Sequence, residues 1–118
     1  SDLPSDLSAM AWPDFLSAYR EIIQKACAKL RQDRFACFVV GDFRDPRGNY
    51  RNFVSETIDA FLRAGLTLYN EAILVTSVGS ASMRVTRQFD AGRKLCKTHQ
   101  NVLVFVKGDW RKASAVIK

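Results

Sequence analysis

Apolar residues recur at helical spacing from residue 13 to about residue 31. Phe15, Tyr19, Ile22, Ile23, Ala26, Cys27 and Leu30 share one side, while Arg20, Glu21, Gln24, Lys25 and Lys29 take the other. The spacing predicts an amphipathic helix, with Pro13 in the first turn, where a missing N–H costs nothing. "RFACFVV", residues 34–40, is instead an unbroken apolar run. It predicts a buried strand, commonly a parallel one, that needs cover on both faces. Val54, Ile58, Phe61 and Leu62 make a second helical stripe, which Gly65 can end in a left-handed cap. "LTLYNEAILVTS", from residue 66 to about 76, predicts a second strand, with the polar Asn70 and Glu71 marking a bulge or bend. "NVLVFVK", residues 101–107, predicts a third.

This order of elements predicts an α/β fold with two main helices and three strands, and leaves open whether the last two strands pair as an antiparallel hairpin with a long loop at its tip. Residues 1–12 read as a flexible lead-in, residues 13–109 as a single α/β domain, and residues 110–118 as a tail or short helix. The connection from Ser77 to Gln100 exceeds the usual loop length, and such loops are generally functional or disordered. It sets Arg84, Arg87, Arg93, Lys94 and Lys97 against the lone acid Asp90. With Phe89 for stacking and Gln88, Thr86 and Thr98 as donors, the stretch suits phosphates and a base, although an ordinary solvated loop has a similar make-up.

His99, the only histidine, opens the last strand. It has no second histidine and no ligand spacing around it for a metal, and no tight turn presents a serine or cysteine nucleophile. A hydrogen-bonding residue at the start of a strand is the simplest reading. Asp42 and Arg44 follow the first strand, at the carboxyl edge where α/β proteins place their sites. Asp45-Pro46 and Gly48-Asn49 equally explain that segment as a turn, with an Asp42–Arg44 pair as structure, so both readings stand.

At 118 residues, 47% hydrophobic and 25% charged, the chain has the composition of one ordinary globular domain. A net charge of +6 favours anionic partners, nucleic acid first among them. Cys27, Cys37 and Cys96 form no C-x-x-C pair and leave one over in any disulfide scheme, which argues against a zinc site or a secreted scaffold. No window is apolar for long enough to span a membrane, and the N-terminus lacks the pattern of a secretory signal. A cytoplasmic protein is the default expectation.

"RFACFVVGDFRDPRGNYRNF", "AGLTLYNEAILVTSVGS" and "RQFDAGRKLCKTHQNVLVFVKGD" together resemble the C-terminal half of phage-type DNA methylases, which are similar to the S-adenosylmethionine-dependent N6-adenine and N4-cytosine amino-methyltransferases. The resemblance runs from Pro13 to Asp109, and "KTHQNVLVFVKG" is its most specific part. It implies a partial Rossmann-like methyltransferase sheet in which the first strand here is the fifth of the complete sheet and the last two form its antiparallel hairpin. It also implies phage or bacterial cytoplasm and a DNA partner. In that setting Arg84, Arg87, Arg93, Lys94 and Lys97 would contact phosphates, with Phe89 or Gln88 near a flipped base, and His99 and Asn101 would anchor the loop to the last strand.

The family's "DPPY"-type motif holds the target amino group and stacks on the flipped base. Here Pro4, Pro13 and Pro46 are never adjacent, and the glycines make no cofactor loop. The expectation is therefore a fragment of such an enzyme, inactive alone. S-adenosylmethionine is implied for the complete fold but not bound by this chain by itself. The alternative is a free-standing binding or inhibitory module derived from that fold, acting on DNA or on a protein partner. In either case the strand edge from Phe35 to Val40 is expected to pair with another chain or a second copy.

Overall fold

The computed structural model describes residues 11–75, 87 and 89–117. Helix α1 (Trp12–Lys29) opens with Pro13 in its first turn and buries Ile23 and Cys27. Ile22, one residue and about 100° around the helix, stands 53% exposed, so the buried stripe is narrower than the sequence pattern. Helix α2 (Phe53–Arg63) lies against α1. Arg20 meets Glu56 at 2.7 Å. The Tyr19 hydroxyl shares a 2.9 Å hydrogen bond with Thr57, which also donates to the Phe53 carbonyl. Burial pushes the Tyr19 phenol up from its ordinary pKa, and the bond to Thr57 offsets part of that rise. Gly65, at φ +95°, ends the α2 segment as expected, donating to the Leu62 carbonyl while Leu66 donates to that of Phe61.

Strands β1 (Arg34–Val40), β2 (Thr67–Val75) and β3 (His99–Lys107) form one sheet in the order β1-β3-β2, with both pairings antiparallel. The β2–β3 hairpin is therefore as expected. Its register shifts between Leu68 and Asn70, so the irregularity falls at Tyr69, just ahead of the polar pair. The parallel neighbour expected for β1 is not found among the described residues. β1 and β2 point the same way, but β3 is inserted between them, and an unbroken apolar run does not reveal which strand will sit beside it.

Sequence alternation along β1 and β3 creates two unlike faces. Ala36, Phe38, Val40, Leu103 and Phe105 pack with Ile23, Cys27, Ala60 and Phe61 to form the core. Phe61 and Phe105 stack with ring centroids 4.1 Å apart, and Phe38 meets Phe61 edge-on. On the other face, Phe35, Tyr69 and Trp110 make a row of rings. The segment after β3 is a helix, α3 (Trp110–Val116), started by the Asp109 side chain and anchored by the buried Ala113. It covers that face only in part: Cys37 is exposed and Val39 is 48% exposed, so the cover expected on both sides of β1 is incomplete.

The end of the sheet bearing Arg34 and Lys107 is fastened by polar groups. Lys107 Nζ donates to the Cys27 and Leu30 carbonyls at 2.7 Å each, closing the C-terminus of α1. Asp33 donates its N–H to the Lys107 carbonyl and accepts from the Asp109 N–H at 2.8 Å. Gly108 lies within this clasp at φ +95°, and a Cβ there would strike the Gln32 amide and the Asp33 carboxylate. Gly108→Ala should therefore lower unfolding stability by about 1–3 kcal/mol. Gly41→Ala, at an ordinary φ with only a 3.7 Å side-chain contact, should be neutral within about 1 kcal/mol. Urea unfolding of the two variants beside the unmodified chain measures both.

Candidate nucleic-acid interface

Because β3 runs opposite to its neighbours, its first residues lie at the carboxyl ends of β1 and β2. Asn101 pairs with Val40, and His99 with Val75. His99 is the first residue of β3. The Asn101 amide donates to Glu71 of β2 at 3.1 Å.

A cavity of about 780 Å³ opens at this edge. One wall carries Asp42, Arg44 and Tyr50 from the chain leaving β1, with Val54 and Ser55 from the start of α2. The facing wall is the segment leading into β3, with Arg93, Leu95, Cys96, Lys97 and Thr98, and His99 and Asn101 complete the lining. The volume lies within the roughly 300–1,000 Å³ of small-molecule sites.

The first wall is held by local chemistry. After β1 the chain folds into a tight hairpin in which Arg44 and Tyr50 form a β-bridge. The Asp45 N–H donates to the Asn49 carbonyl at 2.8 Å, and Asp45 Oδ1 accepts from the N–H groups of Arg47 and Asn49 at 2.9 Å. Gly48, at φ +90°, makes the turn. Asp42 does not pair with Arg44. Its Oδ1 accepts from the Val54 N–H at 3.1 Å, satisfying a donor in the first turn of α2 that the preceding residue, Asn52, leaves unmet. Arg44 instead donates to the Gly48 carbonyl at 2.8 Å and sits over the Tyr50 ring.

Residues 89–92 form a helical turn ahead of the second wall. Arg93, at φ +54°, folds its guanidinium back over the Phe89 ring, 5.1 Å from its centroid. Lys97 Nζ lies beside Gly41 and Lys94 Nζ beside Gly48, each 3.8 Å from where a Cβ would stand, so the ammonium groups reach across to the chain leaving β1, Lys94 at the hairpin itself. Arg87 and Lys94 also line a smaller depression of about 210 Å³ with Ala91 and Gly92. Among the described residues, none of these cations is within ion-pair distance of a carboxylate.

Of the residues singled out from sequence, Asp42, Arg44, Arg93, Lys97, His99 and Asn101 thus meet at one cavity, with Lys94 at its rim. Phe89 lies under Arg93, Arg87 stands at the neighbouring depression, and Arg84 and Gln88 fall outside the described residues. Tyr50, Leu95 and Cys96 were not anticipated. Tyr50 was within reach, since a hairpin centred on "DPRGN" places it opposite Arg44. Among the described residues, no three histidine, cysteine or acidic side chains gather as metal ligands, and no helix is long and apolar enough to cross a membrane.

No family model matches the sequence, and no curated protein matches it. Its fold is similar to that of a crystal structure from Thermus thermophilus, of a protein provisionally described as a DNA modification methylase. The TM-score is 0.64 at 14% identity, over 83% of this chain. The chain spans 38% of that protein's length. The three-stranded sheet with its helices therefore has the fold of part of that α/β protein.

The geometry gives Asp42 a structural task, which can be measured. Asp42→Ala should destabilise the chain by about 0.5–2 kcal/mol, while Asp42→Asn, which keeps an oxygen for the Val54 N–H, should retain most of that stability. Chemical denaturation curves for the pair distinguish a cap from a residue that serves only the cavity.

Proposed function

We propose that this chain supplies the target-base side of a DNA amino-methyltransferase fold and binds DNA through the basic wall of its cavity. The observation that carries the reading is the convergence of Arg93, Lys94 and Lys97 on the carboxyl edge of the sheet, with no carboxylate paired to them among the described residues. Lysine and arginine so placed gain affinity by releasing the counterions of a phosphate backbone. The likeness in fold to a protein described as a DNA modification methylase supports the same substrate. Arg84, Arg87, Gln88 and Phe89 extend the contact along the loop, and His99 and Asn101 anchor it at β3.

The same lining is a poor match for S-adenosylmethionine, whose sulfonium and ammonium outweigh its single carboxylate. Arg44, Arg93 and Lys97 could meet the carboxylate but repel the two positive groups, and the carboxylate in the lining, Asp42, is engaged at α2. With neither adjacent prolines nor paired glycines in its sequence, the chain is read as unable to bind the methyl donor or transfer a methyl group alone.

A second reading, a binding or inhibitory module that acts through a protein partner or a second copy, is favoured by one observation. Among the described residues β1 is an edge strand that pairs on one side only, and its outer face is partly bare at Cys37 and Val39.

DNA binding followed across a salt series separates the two. The unmodified chain should bind, and neutralising Arg87, Arg93 and Lys94 together should weaken binding and reduce the salt slope by about one unit for each phosphate the variant no longer touches. An unmodified chain that ignores DNA, or a triple variant with unchanged affinity and slope, defeats the DNA reading and leaves the partner reading in its place.

A further inference from the structure

Opposite the basic loop stands a wall that the DNA reading does not use. We infer that the hairpin of residues 43–51 is a second nucleic-acid contact, whose Arg44–Tyr50 stack receives one unpaired base of a bound strand; this rests on the reading above and gives the cavity a specific occupant.

The hairpin is built to hold its side chains still. Its tip is closed by the Asp45 side chain and by the Gly48 N–H on the Asp45 carbonyl, and its base by the Arg51 N–H on the Phe43 carbonyl at 2.9 Å. The Phe43 ring packs edge-on against Phe53 and Trp12, and the Arg51 guanidinium lies 4.4 Å from the Trp12 ring centre. The base of the hairpin is thereby fixed to the first turns of both α1 and α2.

On this support the Arg44 guanidinium sits 4.8 Å from the Tyr50 centroid, held by its bond to the Gly48 carbonyl. Tyr50 is nevertheless 50% exposed and lines the cavity, so ring surface not covered by Arg44 is open to a ligand. A planar ring already fixed by its neighbour loses little freedom when a base stacks on it, and aromatic stacking tolerates any base. From the other wall Lys94 reaches the hairpin at Gly48 and Lys97 reaches Gly41 just ahead of it, which brings cations to the phosphates flanking a base placed there.

Stacking of this kind requires a base free of its partner strand, which sets the hairpin apart from the loop. The loop cations meet phosphates in single and double strands alike, whereas Tyr50 serves only the single strand.

The test compares the full chain with Tyr50→Ala, Tyr50→Phe and the triple loop variant, each confirmed folded by circular dichroism. Fluorescence anisotropy is measured with a labelled single strand of about a dozen nucleotides and with its duplex, and thymidine monophosphate is added as competitor. Tyr50→Ala should weaken single-strand binding about tenfold and change duplex binding by less than about twofold. Tyr50→Phe should restore the single-strand affinity, and the triple variant should lose both. Tyr50→Ala binding the single strand as tightly as the unmodified chain, while the triple variant weakens, overturns the inference and leaves the DNA reading standing. Failure of the unmodified chain to bind either DNA overturns both. Displacement of the strand by thymidine monophosphate at equal concentration overturns the assignment to a strand and gives the cavity to a free nucleotide.

Discussion

The stack of Phe61 on Phe105, 4.1 Å between ring centres, is the contact on which the rest of the molecule depends. Phe105 is wholly buried in the central strand, as is Leu103 two residues before it. These two side chains lie under α2 with β3 seated between β1 and β2, and both outer strands run antiparallel to it. The consequence reaches the far end of the sheet. Two chain segments far apart in the sequence, residues 42–55 and 93–101, arrive together there and line the cavity.

The two ends of the sheet are built for different purposes. At one, Lys107 closes α1 and Asp33 clasps the turn through Gly108, so that these polar groups face one another. At the other, cations face the cavity with no carboxylate paired to them among the described residues, and side-chain oxygens such as those of Asp42 and Asp45 are spent on holding backbone in place. Uncompensated charge at a rigid edge costs stability through mutual repulsion and gains affinity for an anion. The aromatic row from Trp12 through Phe43 and Phe53 to Tyr19 joins the hairpin to the core, so the cavity's first wall moves with the sheet rather than with solvent.

Much of this was legible in the sequence where local rules decide. The helical stripe of α1, the apolar run of β1, the Gly65 terminus and the irregularity in β2 each follow from residues within a few positions of one another. The insertion of β3 does not, because it depends on pairing across more than 60 residues, and an apolar run has no mark of its neighbour. The resemblance to the methylases supplied the hairpin of the last two strands, where pattern alone left it open. At the site, the basic loop is evident from charge alone, whereas for its opposing wall the sequence leaves Asp42 and Arg44 open between a site edge and a turn. "GDFRDPRGNY" reads as turn chemistry and is turn chemistry, but the turn also sets Arg44 against Tyr50. Asp42 looked like a partner for the nearby Arg44, and a helix donor twelve residues on claimed it instead.

The central claim is that nucleic acid meets this protein at the carboxyl edge of its sheet, between the hairpin and the basic segment. Backbone amide shifts of the isotope-labelled full chain, followed by NMR during titration with a short single-stranded oligonucleotide, test it residue by residue. The account predicts that saturable changes concentrate at residues 42–51 and 93–101, with Gly108 and α3 at the opposite end unmoved. Changes confined to α3 and the outer face of β1, or none at oligonucleotide concentrations that saturate ordinary single-strand binders, would contradict it.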